Sequence, residues 1–133
     1  KLQMTKSWSM TLPDKFNRRV EEGDLVFWRP GFTTWVSALN NDQNKSKKDR
    51  LAWLREEMSP DAFDVEEVSD DNVVRLAYRL NEESEDQRVA AFYGFVVGAN
   101  GHIQLAIYFD DEQDEHLARK IWLSVTVGAA EQS

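Results

Sequence analysis

The chain has 133 residues, 41% of them hydrophobic, and its 16 basic and 24 acidic side chains give a formal net charge of -8. This length can bury a sizeable core without a metal or a disulfide, and the absence of cysteine excludes disulfide frameworks, thiolate zinc sites and cysteine nucleophiles. The acidic balance argues against nucleic acid and anionic membrane surfaces as partners, because both attract basic faces. No apolar run is long enough for a membrane span, so we predict a soluble chain.

The chain begins with Lys1, which indicates a processed protein or a sequence that starts inside its gene. A removed signal peptide or lipoprotein anchor would leave no trace, so the compartment stays open between cytoplasm and periplasm. We find no internal repeat and no linker rich in proline or glycine. We therefore predict one α+β domain over residues 1–133.

Three strands are predicted in the N-terminal part of the chain. Trp8, Met10 and Leu12 alternate with small polar residues, which is typical of a half-buried strand, and a second strand covers residues 25–28. The dipeptide Pro30-Gly31 indicates a tight turn, because proline presets one backbone angle and glycine accepts a positive one. A third strand is then predicted over residues 33–39.

A helix is predicted after the polar loop at residues 40–44. Ser46 is placed to cap it, with Asp49 in the first turn. Leu51 and Leu54 recur at helical spacing with Met58, and Ser59-Pro60 ends the helix. Trp53 widens this stripe, so we expect it in the core.

Four strands follow, over residues 63–68, 73–80, 89–97 and 102–109. Arg75 and Arg79 alternate with the apolar residues of the second of these strands, and residues 82–87 are predicted as a charged hairpin loop. The third strand is apolar on both sides, which predicts a central position with both faces at least partly covered. Asn100-Gly101 is the strongest short hairpin signal in the chain.

The last predicted element is a helix. Five acidic residues within 110–115 crowd its start, where the helix dipole favours negative charge, and its apolar stripe contains Ile121 and Trp122. The element order is therefore β-β-β-α-β-β-β-β-α. We expect an α+β fold in which a single antiparallel sheet of about six or seven strands carries both helices on one face.

The sequence does not assemble a catalytic or metal-binding set. His102 and His116 are isolated, and there is no Gly-x-Ser-x-Gly elbow or phosphate-binding glycine loop. The acidic run at 110–115 fails the calcium-loop spacing, because Ile121 stands where a bidentate glutamate belongs. We therefore expect a chain that is not an enzyme and that uses no cofactor and no metal.

Two surfaces are candidates for binding another molecule. Trp28 and Trp35 flank the Pro30-Gly31 turn beside Arg29, and tryptophan and arginine dominate binding hot spots. The second candidate is an open sheet face formed by the outward-pointing residues of the last strands. Its residues are Arg75, Arg79, Tyr93, His102, Gln104 and Tyr108.

Several features resemble the PsbP-like fold. They are the opening Trp8-Ser9-Met10-Thr11-Leu12-Pro13-Asp14, the hairpin that ends near Trp35, the single helix, the run of strands and the terminal helix with Ile121-Trp122. That group includes a photosystem II extrinsic subunit, a Ran-binding nuclear import factor and bacterial secretion chaperones. The resemblance covers nearly the whole chain and implies a binding or adaptor role without catalysis, but it transfers no binding residue.

The leading hypothesis is a noncatalytic, bacterial-type adaptor or chaperone-like domain that binds a protein through the open sheet face or the Trp28 to Trp35 hairpin. One alternative is a small-ligand-binding protein or hydrolase with a pocket between helix and sheet near Tyr93 and His102. Another is a homodimer whose sheets pair.

Overall fold

The structure is a computed structural model that describes residues 2–5, 8–12, 15–40, 45–70, 72–84 and 87–128. Within these ranges it has ten strands, two helices and one 3-10 turn, Glu112–Asp114. The strands and helices in chain order are β1 (Leu2–Gln3), β2 (Trp8–Met10), β3 (Asn17–Glu21), β4 (Asp24–Arg29), β5 (Phe32–Asn40), α1 (Lys47–Glu57), β6 (Phe63–Ser69), β7 (Val74–Ser84), β8 (Gln87–Val97), β9 (Gly101–Phe109), α2 (Glu115–Ser124) and β10 (Thr126–Val127).

Seven of the strands form an antiparallel sheet in the spatial order β3-β4-β5-β9-β8-β7-β6. This confirms the predicted α+β class and the antiparallel sheet. The predicted first strand, β2, instead belongs to a separate small sheet with β1 and β10. Its place in the main sheet is taken by β3, an edge strand that the sequence did not predict because all of its residues are exposed and no apolar alternation marks it.

The two helices pack on opposite faces of the main sheet, so the prediction that both lie on one face is wrong. Trp122 of α2 packs against Phe92 and beside Gly94. Leu54 of α1 packs in a separate cluster with Phe95. Since successive residues of a strand point to opposite sides, the two helices enclose β8 between them. The prediction that this strand is covered on both faces is confirmed.

The face under α2, which we call the covered face, holds the larger core. The small sheet also packs against the covered face, because Trp8 and Met10 join the same hydrophobic cluster as Trp122 and Ile107. The opposite face, which we call the half-open face, is covered by α1 along β7 and β8. Its side chains on β5 and β9 are half-buried rather than buried, apart from Leu39, which is exposed.

The predicted helix cap, helix end and tight turn are present in the structure. The Asp49 backbone N–H donates to Ser46 Oγ at 3.0 Å, and α1 ends before Ser59-Pro60. Gly31 takes the positive φ of 77° that the Pro30-Gly31 turn needs. In the part of the chain that the structure describes, neither helix has the length and apolar character of a membrane span.

Two local predictions are wrong. The hairpin predicted as a loop over residues 82–87 is shorter, since β7 runs to Ser84 and β8 begins at Gln87; residues 85–86 lie outside the described ranges. Trp53 is 51% exposed and does not join the core. The buried side of α1 carries Arg50, Leu51 and Leu54, and helical geometry turns Trp53 away from that side.

Candidate functional site

Arg75 and Arg79 do not lie on the open face with His102 and Tyr108, as the sequence predicted. Their parity on β7 is that of Ala77, which faces α2, and they are only 6% and 4% exposed. The prediction failed because it assumed that the arginine side of the strand faces solvent. Both sides of β7 are covered, and an arginine can be buried where acceptors meet its guanidinium.

Both arginines connect the sheet to the α2 region. Arg75 donates to Val125 O at 2.8 Å, at the carboxyl end of α2, and to Asp70 Oδ2 at 2.9 Å. Burial raises the pKa of Asp70, but the hydrogen bonds from Arg75 and from the backbone of the following turn outweigh it and leave that pKa below its usual value. Arg79 donates to both carboxylate oxygens of Glu112, at 2.9 and 3.2 Å. These contacts are structural.

Arg29 also lies on the covered face, away from Trp28. Its guanidinium contacts Asp114 at 3.2 Å and lies 5.5 Å from the ring centroids of both Phe16 and Phe32. Two acids of the run at 110–115 are thus paired inside the molecule, Asp114 with Arg29 and Glu112 with Arg79. The predicted surface site at the hairpin therefore keeps Trp28 and Trp35 and loses Arg29.

The other six predicted residues lie on the half-open face: Trp28, Trp35, Tyr93, His102, Gln104 and Tyr108. The register places Trp35, Ala106 and Tyr93 side by side across β5, β9 and β8. Ala106 is therefore a small floor between two large rings, with Gln104 and Tyr108 before and after it on the same strand. We call these five residues together with Trp28 the aromatic patch; all six are half-buried.

Ala106 separates Trp35 from Tyr93 on the floor of the patch. Trp35 and Tyr93 are two strand spacings apart, which is about 10 Å between their backbones. Tyr108 closes one side, because its ring meets that of Tyr93 edge to face at a centroid distance of 6.2 Å. The patch is thus a sheet surface on which half-buried aromatic side chains neighbour one small residue.

Trp28 has a partner within the chain. The Arg19 guanidinium lies 4.8 Å from the Trp28 ring centroid, and Arg19 also contacts Glu21 at 2.8 Å. Val26, which pairs with both Arg19 and Trp35, is fully buried although it lies on the half-open face. The register puts the side chains of Arg19, Trp28 and Trp35 around Val26, so they are placed to shield it.

The hydroxyls of the patch form a polar group at its edge. Tyr93 donates to Glu82 Oε1, and the Tyr93 and Tyr108 oxygens are 3.2 Å apart. Because the single Tyr93 proton goes to Glu82, Tyr108 is the donor in the second bond. Burial, then the bonds to Glu82 and Tyr108, raise the pKa of Tyr93 far above its usual value. Tyr93 is therefore held as a neutral hydrogen-bond donor, which suits binding better than proton transfer.

Two carboxylates flank the patch, and the sequence analysis missed both. Glu82 lies at the Tyr93 side, and Asp24 accepts a hydrogen bond from Ser37 Oγ at 3.0 Å at the other side. Among the described residues neither forms an ion pair. Strand parity could have found them, because Asp24 alternates in phase with Trp28, and Glu82 with Tyr78.

His102 shares the face but lies away from the centre of the patch. It is four residues from Ala106 along β9, roughly 13 Å. Burial, and then the charge of Arg50 on α1, lower the pKa of His102. Tyr93 and His102 therefore do not converge on one point, which favours a binding surface over a hydrolase pocket between them.

The described residues contain no group of three or more His, Cys, Asp or Glu side chains that could hold a metal ion. No protein-family model matches the chain, and no curated protein matches it. The residues of the patch are therefore the basis on which a function can be inferred.

Proposed function

We propose that this chain is a noncatalytic domain that binds a positively charged segment of another protein through the aromatic patch. The observation that supports this most is the half-open face itself. The α1 helix packs over β7 and β8, and the rings of Trp35, Tyr93 and Tyr108 stay half-buried around the small floor of Ala106. Tyrosine and tryptophan supply large, rigid contact area at interfaces, which is why they dominate hot spots.

The chemistry of the patch favours a cationic side chain as the inserted group. An arginine or lysine over an aromatic ring gains about 0.5–2 kcal/mol, depending on how well it is desolvated. The chain already uses one such contact on this face, because Arg19 lies 4.8 Å from the Trp28 ring centroid. A partner arginine on the floor between Trp35 and Tyr93 would repeat the same interaction.

Charge complementarity supports the same class of partner. Asp24 and Glu82 stand at the two ends of the patch without an ion pair to any described residue, and the whole chain carries a formal net charge of -8. Such a surface attracts a basic segment from solution and repels an acidic one. The adaptor or chaperone-like role implied by the PsbP-like resemblance is part of this proposal, since both roles require a protein ligand.

A peptide-display selection tests the proposal and does not require the natural partner to be identified first. The wild-type chain selects peptides from a random library, and binders that also attach to a Trp35→Ala variant are removed. We expect the remaining peptides to be enriched in arginine and lysine. Trp35→Ala should weaken their binding by about 30-fold or more, the loss typical of a hot-spot residue.

Trp53→Ala is the control, because Trp53 is an exposed tryptophan on α1, outside the patch. It should leave the affinity unchanged. The double change Asp24→Asn with Glu82→Gln should slow association and flatten its dependence on salt.

Three results would overturn the proposal. The selection could yield no peptide whose binding depends on Trp35, or it could yield acidic peptides. Light scattering could also show a dimer that Trp35→Ala dissociates, in which case the patch is an interface between copies of the chain.

A further inference from the structure

Arg50 is a buried guanidinium without an acidic partner. It lies in α1 on the side that packs against the sheet and is only 8% exposed. Its Nη2 donates to the backbone oxygen of Gly98, while Nε and Nη1 are buried and have no acceptor. No ion pair joins Arg50 to another described residue. The other arginines that the structure shows to be buried, Arg75 and Arg79, each meet a carboxylate, so Arg50 differs from them.

His102 lies at the same strand end and has a second unmet polar atom: it pairs with Val97, the residue before Gly98, whose backbone oxygen accepts from Arg50. The Nδ1 atom of His102 is buried and has no hydrogen-bond partner, although the residue as a whole is half-buried. The imidazole therefore has one edge turned inward. Its cross-strand neighbours, Leu39 on β5 and Val97 on β8, are apolar and offer neither charge nor a hydrogen bond from their side chains.

We infer that Arg50 and His102 form a binding site for an oxyanion, namely a carboxylate or a phosphate group. Such a group brings the negative charge that the site lacks and several acceptors for the unmet nitrogen atoms of Arg50 on α1 and His102 on β9. Arginine is the side chain best suited to this task, because its guanidinium presents five donors in a fixed plane.

The energetics favour a bound anion over an unpaired cation. An ionised group that is buried without a partner costs several kcal/mol, whereas a charge-assisted hydrogen bond to an oxyanion is among the strongest that proteins form. Burial lowers the pKa of Arg50 and, with the Arg50 charge, that of His102. Both pKa shifts are expected where a buried cation has no anion beside it, and a bound anion would raise both pKa values again.

The site is distinct from the aromatic patch, and the inference does not rest on the proposed function. His102 lies roughly 13 Å along β9 from the floor at Ala106. The aromatic patch is flanked by carboxylates and attracts cations, whereas the site formed by Arg50 and His102 attracts anions. The half-open face therefore has two zones of opposite preference.

Thermal unfolding tests the inference directly. The wild-type chain is melted in sodium phosphate, sodium acetate and sodium chloride at equal ionic strength. We expect the melting temperature to rise in phosphate or acetate, by about 5 °C at ten times the dissociation constant. A rise in phosphate alone assigns a phosphoryl group, and a rise in acetate alone assigns a carboxylate.

Two variants separate a site from a general salt effect, since phosphate stabilises many proteins by exclusion from their surface. Arg50→Met removes the guanidinium and should abolish the specific rise. It should still fold, because replacing an unpaired buried charge by an apolar side chain of similar length is neutral or stabilising. Arg55→Met is the control on the same helix, because Arg55 is exposed and pairs with Glu67; the rise should persist.

Histidine titration by NMR gives a second readout on the unaltered chain. Bound phosphate should raise the pKa of His102 by about one unit, because an adjacent anion favours the imidazolium form. His116, which is exposed on α2 and lies outside the site, is the internal control. The inference is overturned if Arg50→Met responds to phosphate and acetate as the wild type does, or if neither anion changes the His102 titration.

Discussion

Gly94→Ala tests how α2 is seated on the covered face. A Cβ atom at Gly94 would lie 2.6 Å from Cδ1 and 3.1 Å from Cγ of Trp122. Carbon atoms in contact are normally about 3.5–4.0 Å apart, so the overlap approaches 1 Å. Trp122 is fully buried, and its indole N–H donates to Phe95 O at 3.2 Å, so the ring cannot retreat without weakening that bond.

The magnitude follows from these contacts. Overpacking a core costs about 1–3 kcal/mol, and a weakened buried hydrogen bond adds about 1 kcal/mol. Replacing glycine by alanine within a strand returns roughly 0.5–1 kcal/mol through chain entropy. We therefore expect Gly94→Ala to lower the free energy of unfolding by about 1–3 kcal/mol, or the melting temperature by roughly 4–12 °C.

Urea and thermal unfolding of four chains complete the test: wild type, Gly94→Ala, Trp122→Leu and the double variant. If the cost comes from the indole ring, the alanine should cost less when residue 122 is leucine, with a coupling energy of about 1 kcal/mol or more. Stability equal to wild type for Gly94→Ala, or strict additivity in the double variant, would refute this packing of Trp122.

Three further predictions concern stability. Leu54→Ala should lower the free energy of unfolding by about 2–4 kcal/mol, because Leu54 is only 5% exposed. Trp53→Ala should change it by no more than about 0.5 kcal/mol. Equal losses for the two variants in urea unfolding would contradict the orientation of α1. The lowered pKa of Asp70 means that its contribution is present above pH 3.8 and lost as pH falls through the folded-state value, so Asp70→Asn should flatten the acid limb of the stability profile. The lowered pKa of His102 likewise means that its effect on stability is absent above pH 6.5 and that stability falls below this pH. His102→Gln in chloride buffer should therefore remove part of the loss below pH 6.5; an unchanged slope would contradict the burial of His102.

The sequence predicted the elements whose side chains alternate or recur at helical spacing. The strand at 89–97 was correctly predicted to lie inside the sheet with both faces covered, because Phe92 and Val96 oppose Phe95 and Val97, and only a strand covered on both sides needs apolar residues on both. The Ser46 cap and the Pro30-Gly31 turn were correct because their chemistry is local. The edge strand β3 was missed because solvent surrounds its side chains and leaves no pattern.

The sequence alone could not predict which residues lie on which face of the sheet. A stripe such as Leu51 and Leu54 shows that a helix must be buried, but it does not show on which side of a sheet. That choice depends on the path of the chain between elements. The sequence therefore placed Arg75 and Arg79 on the open face, whereas they are buried toward α2.

Part of the candidate site could have been predicted more completely. The sequence singled out Trp28, Trp35 and Tyr108 because aromatic side chains in the exposed phase of a strand indicate a contact surface, and all three lie half-buried on the half-open face; their binding role stays a prediction. Arg50 was missed, although it falls on the same helical stripe as Leu51 and Leu54, where a charged residue is unexpected.

The most direct test of the aromatic patch uses the indole N–H signals of the five tryptophans. Trp8 and Trp122 are buried, Trp53 is exposed on α1, and Trp28 and Trp35 lie in the patch. Titration with the tightest basic peptide from the selection, followed by ¹H–¹⁵N correlation spectra, reports on all of them at once. We predict that the Trp28 and Trp35 signals shift to saturation with the dissociation constant of the peptide while the Trp53 signal stays in place. A shift of Trp53 with Trp28 and Trp35 unmoved would contradict the assignment of the binding surface.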